Sequence, residues 1–124
     1  MANTILIVED NADNMRLLVD LLGASGYRTL QSVDGLDALA LAEKDPPDLI
    51  LMDIQLPEIS GVEVTKLFRA HENLKDIPII AVTAFASPGE AERILDAGCD
   101  TYVSKPISPQ SFLKTVSQFI DGTA

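Results

Sequence analysis

Residues 49–61 read LILMDIQLPEISG, and the reading of this stretch decides the fold. Leu49, Ile50, Leu51 and Met52 form an apolar run without polar alternation, the pattern of a strand buried on both faces. Pro57 and Gly61 then punctuate a turn. Ser60 stands three residues before Glu63, the spacing of a helix capping box. A buried strand that passes through a short turn into a helix is half of a β-α-β unit. One residue resists this reading. Asp53 places a carboxylate at the end of an oily strand, which is costly unless something compensates the charge.

Outward from this stretch, the same unit repeats along the chain. Short aliphatic or β-branched runs occupy residues 5–8, 29–32, 49–52, 79–82 and 101–104. Met15, Leu18, Val19 and Leu22 follow helical spacing, and Ile94 and Leu95 do so in a shorter segment. Ser87 with Glu90 repeats the capping box, while Ser87-Pro88 and Ser108-Pro109 each put a cap before a proline that suits a first helical turn. Gly26 and Gly98 stand where left-handed helix ends are wanted. Strand and helix alternate five times, so the expected fold is α/β: a doubly wound five-stranded parallel sheet, order 2-1-3-4-5, with five helices, flavodoxin-like. Residues 1–124 read as one domain, with the last helix ending near Asp121 and no output domain expected beyond it.

Composition narrows the function. The 124 residues are 47% hydrophobic and 23% charged, ordinary values for a globular domain. A net charge of -10 argues against nucleic-acid binding, which needs a basic face. No apolar run approaches the ~20 residues that span a bilayer, and the N-terminus lacks the basic and cleavage regions of a signal peptide. The single cysteine, Cys99, makes no internal disulfide and suits a reducing compartment. The expectation is a cytoplasmic protein without membrane insertion.

In an open α/β sheet, ligands bind beyond the carboxyl ends of the strands. The first strand runs into Glu9 and Asp10, the third ends at Asp53, the fourth at Thr83, and the fifth at Ser104 and Lys105 before Pro106. The second strand ends in Ser32 and Val33 and offers no obvious contribution. Three carboxylates gathered this way repel one another unless a cation joins them. Oxygen donors without His or Cys select a hard ion, and Mg²⁺ (with Mn²⁺ as a substitute) takes one or two carboxylates with water and phosphate oxygens. Asp10 and Asp53 are the direct-ligand candidates, with the backbone carbonyl of Gln55, and Glu9 acts through a bound water. Lys105 offers a compact positive charge to a phosphate oxygen, and Thr83 a hydroxyl donor. Such a pocket accepts a phosphoryl group, and Asp53 is the nucleophile candidate.

These residues carry a resemblance. ILIVEDN at 5–11, LILMDIQLPEISG at 49–61, AVTAFA at 81–86 and YVSKPIS at 102–108 resemble, in order and spacing, the receiver domains of bacterial two-component response regulators. The resemblance covers nearly the whole chain. It implies that Asp53 accepts a phosphoryl group from a histidine kinase or a histidine phosphotransfer protein. It also implies Mg²⁺ at Asp10 and Asp53 with Glu9 in support, and phosphoryl contacts from Thr83, Lys105 and the backbone N–H of Ala84. Pro106 matches a proline that follows a cis peptide, and Tyr102 matches an aromatic that swings inward as Thr83 moves. MDIQLPEISGVEVTK, EDNADNMRLL and GCDTYVSKPIS look most like single-domain regulators of the cell cycle and cell polarity in α-proteobacteria. That likeness implies signalling by protein binding through the face of the fourth helix, fifth strand and fifth helix. It also implies a slow self-dephosphorylating switch rather than an enzyme, and recruitment to a cell pole by partner kinases.

Plainer readings stand beside these. Glu9-Asp10 is also a suitable acidic start for a helix, Thr83 an ordinary strand residue, and Tyr102 ordinary packing. His71 reads as a surface residue at a helix end and Cys99 as a small buried hydrophobe. Leu17 and Leu21 lie off the core stripe of the first helix. They either pack against the last helix or, with Asn14 and Leu17 as the candidates, form a partner surface. Gln55 and Phe85 flank the approach of water to Asp53. Two rival functions remain: a Mg²⁺-dependent aspartyl-phosphate hydrolase, which wants an acid where Gln55 stands, and a phosphorelay intermediate without a cell-cycle role.

Overall fold

The three central apolar runs form strands with side chains buried on two opposite faces, whereas the two edge runs, at 29–32 and 101–104, are only partly buried. A computed structural model describes residues 3–84 and 87–121. Its elements in chain order are β1 (Thr4–Val8), α1 (Ala12–Ala24), β2 (Arg28–Ser32), α2 (Gly35–Lys44) and β3 (Leu49–Asp53), then α3 (Gly61–Ala70), β4 (Ile79–Thr83), α4 (Pro88–Ala97), β5 (Thr101–Ser104) and α5 (Pro109–Asp121). All strand pairings are parallel, and the sheet order is β2-β1-β3-β4-β5. This is the doubly wound topology expected from the sequence.

Two apolar cores sandwich the sheet. Leu6, Val8, Ile50 and Met52 point to one side, where Ala38, Val64, Phe68 and Ile94 of α2, α3 and α4 cover them. Ile5, Ile7, Leu49 and Leu51 point to the other, under Leu18 and Leu22 of α1 and Phe112 and Val116 of α5. The alternation settles where the acids go. Glu9 follows Ile5 and Ile7 on their face, and Asp53 follows Leu49 and Leu51 on the same face. Because Val8 is in register with Met52, the next residues, Glu9 and Asp53, emerge side by side.

Helix punctuation mostly follows the sequence. The side chains of Asn11, Asp34, Ser60 and Ser87 accept from the backbone N–H groups of Asn14, Asp37, Glu63 and Glu90, satisfying a donor at each helix start. The two capping boxes are half formed, since Glu63 turns to Lys66 at 3.7 Å and Glu90 to Arg93 at 3.8 Å. Gly98 closes α4 at φ 117°, and a Cβ there would strike the Arg69 side chain. Leu95 departs from the expectation. It lies 47% exposed while Ile94 is buried, because so short a helix turns only one narrow stripe to the sheet. Cys99 is buried beside the Thr65 hydroxyl, and burial pushes its thiol pKa up. No helix among the described residues is long and apolar enough to cross a membrane.

Candidate functional site

Four strands deliver polar residues to one end of the sheet. Glu9 and Asp53 are almost fully buried, at 1% and 2% exposed, and Asp10 is exposed at the rim. One carboxylate oxygen from each of the three lies within 4.8 Å of the others, a spacing that one hard cation can bridge. Lys105 Nζ sits 3.4 Å from both Glu9 Oε1 and Asp53 Oδ1. Its position is set from the backbone, for Lys105 N–H donates to the Thr83 carbonyl at 2.8 Å and the Lys105–Pro106 peptide is cis.

The acids are incompletely satisfied. Asn11 N–H donates to Glu9 Oε2 at 3.2 Å, whereas Glu9 Oε1 is buried without a hydrogen bond despite the nearby ammonium. The Glu9 pKa is raised from the usual 4.5 to about 7. Burial is the main cause, followed by the adjoining Asp53 carboxylate, while Asn11 N–H and Lys105 pull it down. One lysine therefore falls short of balancing the acids. A buried carboxylate oxygen that receives no hydrogen bond, beside two other carboxylates, fits a divalent cation.

Asp53 is held from its own loop and from the next strand. Gln55 N–H donates to Asp53 Oδ1 at 3.0 Å, and Ile54 N–H donates to the Val82 carbonyl at 3.0 Å. The loop then returns over the site, with Gly61 N–H donating to Ile54 O at 3.1 Å. A Cβ on Gly61 would collide with the Asp53 carbonyl oxygen, so this close return needs glycine. Strand β2 takes a larger part than the sequence suggested. Its Ser32 carbonyl accepts from Glu9 N–H at 3.0 Å, and its hydroxyl donates to the Asp34 carbonyl at 2.7 Å. The edge strand thus anchors the backbone that presents Glu9.

The remaining candidates divide. Thr83 is fully buried at the end of β4, and Ala84 is exposed just beyond it. The Gln55 side chain crosses to both: Nε2 donates to Thr83 Oγ1 at 3.1 Å, and Ala84 N–H donates to Oε1 at 3.3 Å. Sequence reasoning gave Gln55 a backbone carbonyl for the metal and a place beside the approach of water, and missed this bridge, for which a lone glutamine in a loop gives no signal. Tyr102 is half-buried and packs against the core under α2, α3 and α4. Asn14 is half-buried in the first turn of α1. Leu17 is 38% exposed, whereas Leu21 packs into the core that includes α5. Phe85 lies outside the described residues. His71 caps the C-terminus of α3 half-buried, 3.6 Å from Glu43, so it is an α2–α3 contact rather than a bare surface group.

Five strand ends, a triad of acids and a lysine define a class. Residues 5–117 match the response regulator receiver domain family, and the chain belongs to it. Within that family it is 54% identical over 120 residues to the polar-differentiation response regulator DivK of Brucella ovis, covering 97% of this chain and 98% of that one. A putative response regulator from Chloroflexus aurantiacus superposes with a TM-score of 0.93 at 30% identity, covering 98% and 99% of the two chains. The receiver domain of a sensor histidine kinase from Pseudomonas aeruginosa, solved with a magnesium ion coordinated in its active-site cleft, gives 0.90 at 37% identity and the same coverage. The chain is a response regulator of two-component signalling, closely related to DivK.

Proposed function

We propose that the chain is a switch operated by phosphorylation of Asp53. The observation that carries this reading is the setting of Asp53, buried at a strand end, within 4.8 Å of Glu9 and Asp10 and 3.4 Å from Lys105. An Asp53 carboxylate oxygen attacks the phosphorus of a phosphohistidine on a kinase or phosphotransfer protein. The P–N bond breaks, its electron pair returns to the imidazole nitrogen, and an aspartyl phosphate remains. Gln55 N–H on Oδ1 fixes the carboxylate for that attack. Asp10, Asp53 and the Gln55 backbone carbonyl, with Glu9 through water, would hold Mg²⁺ or Mn²⁺, whose positive charge would make an anionic donor acceptable. Lys105, the Thr83 hydroxyl and the Ala84 N–H then hold the phosphoryl oxygens.

Thr83 and Tyr102 transmit the change to the face of α4, β5 and α5. A switch from 1:99 to 99:1 takes ~5.5 kcal/mol of differential stabilisation. Two or three charge-assisted hydrogen bonds at ~1.5–3 kcal/mol each supply it. Output then leaves by binding to other proteins, in the cytoplasm or at a cell pole where partner kinases reside. The likeness to a polar-differentiation regulator supports a role in cell-cycle and polarity control. The hydrolase reading is weaker because the Gln55 amide is far too weakly acidic to protonate a leaving group.

The test is intact mass after incubation with Mg²⁺ and acetyl phosphate. The reading expects one labile phosphoryl adduct, lost with a chelator and absent in Asp53→Ala; an adduct that persists in Asp53→Ala removes it. Docking is tested separately with Leu17→Ala, which is expected to slow transfer from a phosphorylated histidine kinase and leave the acetyl phosphate reaction unchanged. Equal loss in both assays removes Leu17, with Asn14 beside it, from the partner surface.

A further inference from the structure

We propose that the seam between α2 and α3 is a docking groove for a basic amphipathic helix of another protein, separate from the Asp53 site and from the face of α4, β5 and α5. Two contacts fix how these helices lie together. Gly35 of α2 stands against Val64 of α3, so close that a Cβ on Gly35 would strike the Val64 side chain. Further along, Glu43 Oε2 lies 3.6 Å from Nε2 of His71, which ends α3.

Helical periodicity fills in the rest. Gly35, Leu39 and Glu43 recur at every fourth residue and share one side of α2, with Leu39 half-buried as the floor of the seam. Leu36 and Ala40 precede Glu43 on its outward flank, whereas Glu63, Leu67 and Ala70 form the matching flank of α3. Leu36 is 60% and Leu67 41% exposed, so the seam is closed at its two contacts and apolar and open between them. Both charged residues on these rims are acids, and they stand at opposite ends on opposite walls. The Glu43 and Glu63 side chains remain more than half exposed, although His71 and Lys66 approach them at 3.6 and 3.7 Å.

An apolar trough with an acid at each end fits one kind of occupant. A helix laid along it puts a leucine stripe between the rims and a lysine or arginine near each end, about 12 Å apart along the seam. A second copy of the chain is disfavoured, because two molecules of net charge -10 repel. The α4 side of α3 is already used, for Arg69 donates to the Gly98 carbonyl at 2.8 Å from that opposite flank. A helix docked on the seam therefore leaves the α4, β5 and α5 face free. One protein can anchor the chain while another binds that face.

The probe is a synthetic helix with one leucine stripe flanked by lysines, titrated into isotope-labelled protein and followed by NMR. A control helix carries glutamate in place of lysine. The largest amide shifts are expected at residues 36–43 and 63–71, with the glutamate helix inert. Leu67→Ala is expected to weaken binding on the order of tenfold, and Glu43→Gln, which preserves the shape of the seam, about threefold. Unchanged shifts far from α3 verify that each variant is folded. Equal binding of the two helices, largest shifts elsewhere, or wild-type affinity in both variants overturns the proposal. So does a dependence of the seam shifts on protein concentration without peptide, which would make a second copy the occupant.

Discussion

The two ends of the sheet treat charge in opposite ways. At the amino end, charged side chains have close partners. Arg69 donates to the carbonyls of Gly98, Lys75 and Ile77 and to Asp100, at 2.6 to 3.0 Å. Asp100 also accepts from Ile79 N–H at 2.8 Å, and Asp48 accepts from Thr4 N–H at 2.8 Å. At the carboxyl end, three acids crowd one lysine, and Glu9 Oε1 receives no hydrogen bond. The amino end uses its charges to join α3, β4 and β5. The carboxyl end holds an unbalanced charge that a ligand can relieve. Satisfied charge is architecture here, and frustrated charge is the site.

Breaking the amino end has the largest effect on stability. Arg69→Ala strips partners from three backbone carbonyls and is expected to cost about 3 kcal/mol. A denaturant titration checks this, and a loss below about 1 kcal/mol would mean that water replaces the guanidinium. At the carboxyl end the sign reverses, because ligands stabilise. Mg²⁺ at roughly a hundred times its Kd is expected to add about 2.7 kcal/mol. Asp10→Ala should abolish that gain in the same titration while leaving the metal-free stability near wild type.

The pH dependence sharpens the contrast. In the metal-free protein, Glu9 holds its proton to about pH 7, whereas the unfolded chain releases it near 4.5. The folded state binds more protons between those values, so stability falls as pH rises from about 4.5 to 7. Glu9→Gln should remove this decline and leave the protein more stable than wild type at pH 8. A decline as steep in Glu9→Gln as in wild type would assign the proton to another group. Smallest of all, Leu17→Ala on the exposed face of α1 should change stability by no more than about 0.5 kcal/mol.

Much of this was legible because it depends on local pattern. Unbroken apolar runs such as LILM announce buried parallel strands, and capping residues such as Ser60 and Ser87 announce helix starts. Strand-end placement alone brought Glu9, Asp10, Asp53, Thr83 and Lys105 to one rim. Interactions that depend on side-chain reach were not legible. The Gln55 bridge to Thr83 spans 28 residues, and the Arg69 contact with Asp100 spans 31. Nothing in either neighbourhood marks such a partner, since a glutamine or arginine reads the same in sequence whether it is solvated or bonded. Leu95 misled for a related reason, because apolar spacing in a ten-residue helix does not fix which apolar residue faces the sheet. Ser32 seemed idle because its contribution to the site is a carbonyl, and every residue carries one.

The most direct measurement identifies the atom that receives the phosphoryl group. The protein is treated with acetyl phosphate and Mg²⁺, reduced with borohydride, digested and mapped by mass. An aspartyl phosphate becomes homoserine under that reduction. The account predicts homoserine at position 53 alone, with Asp10 and Glu9 unmodified. Reduction at Asp10 or Glu9 in place of Asp53, or no reduced residue in a protein that carries the adduct, would contradict it.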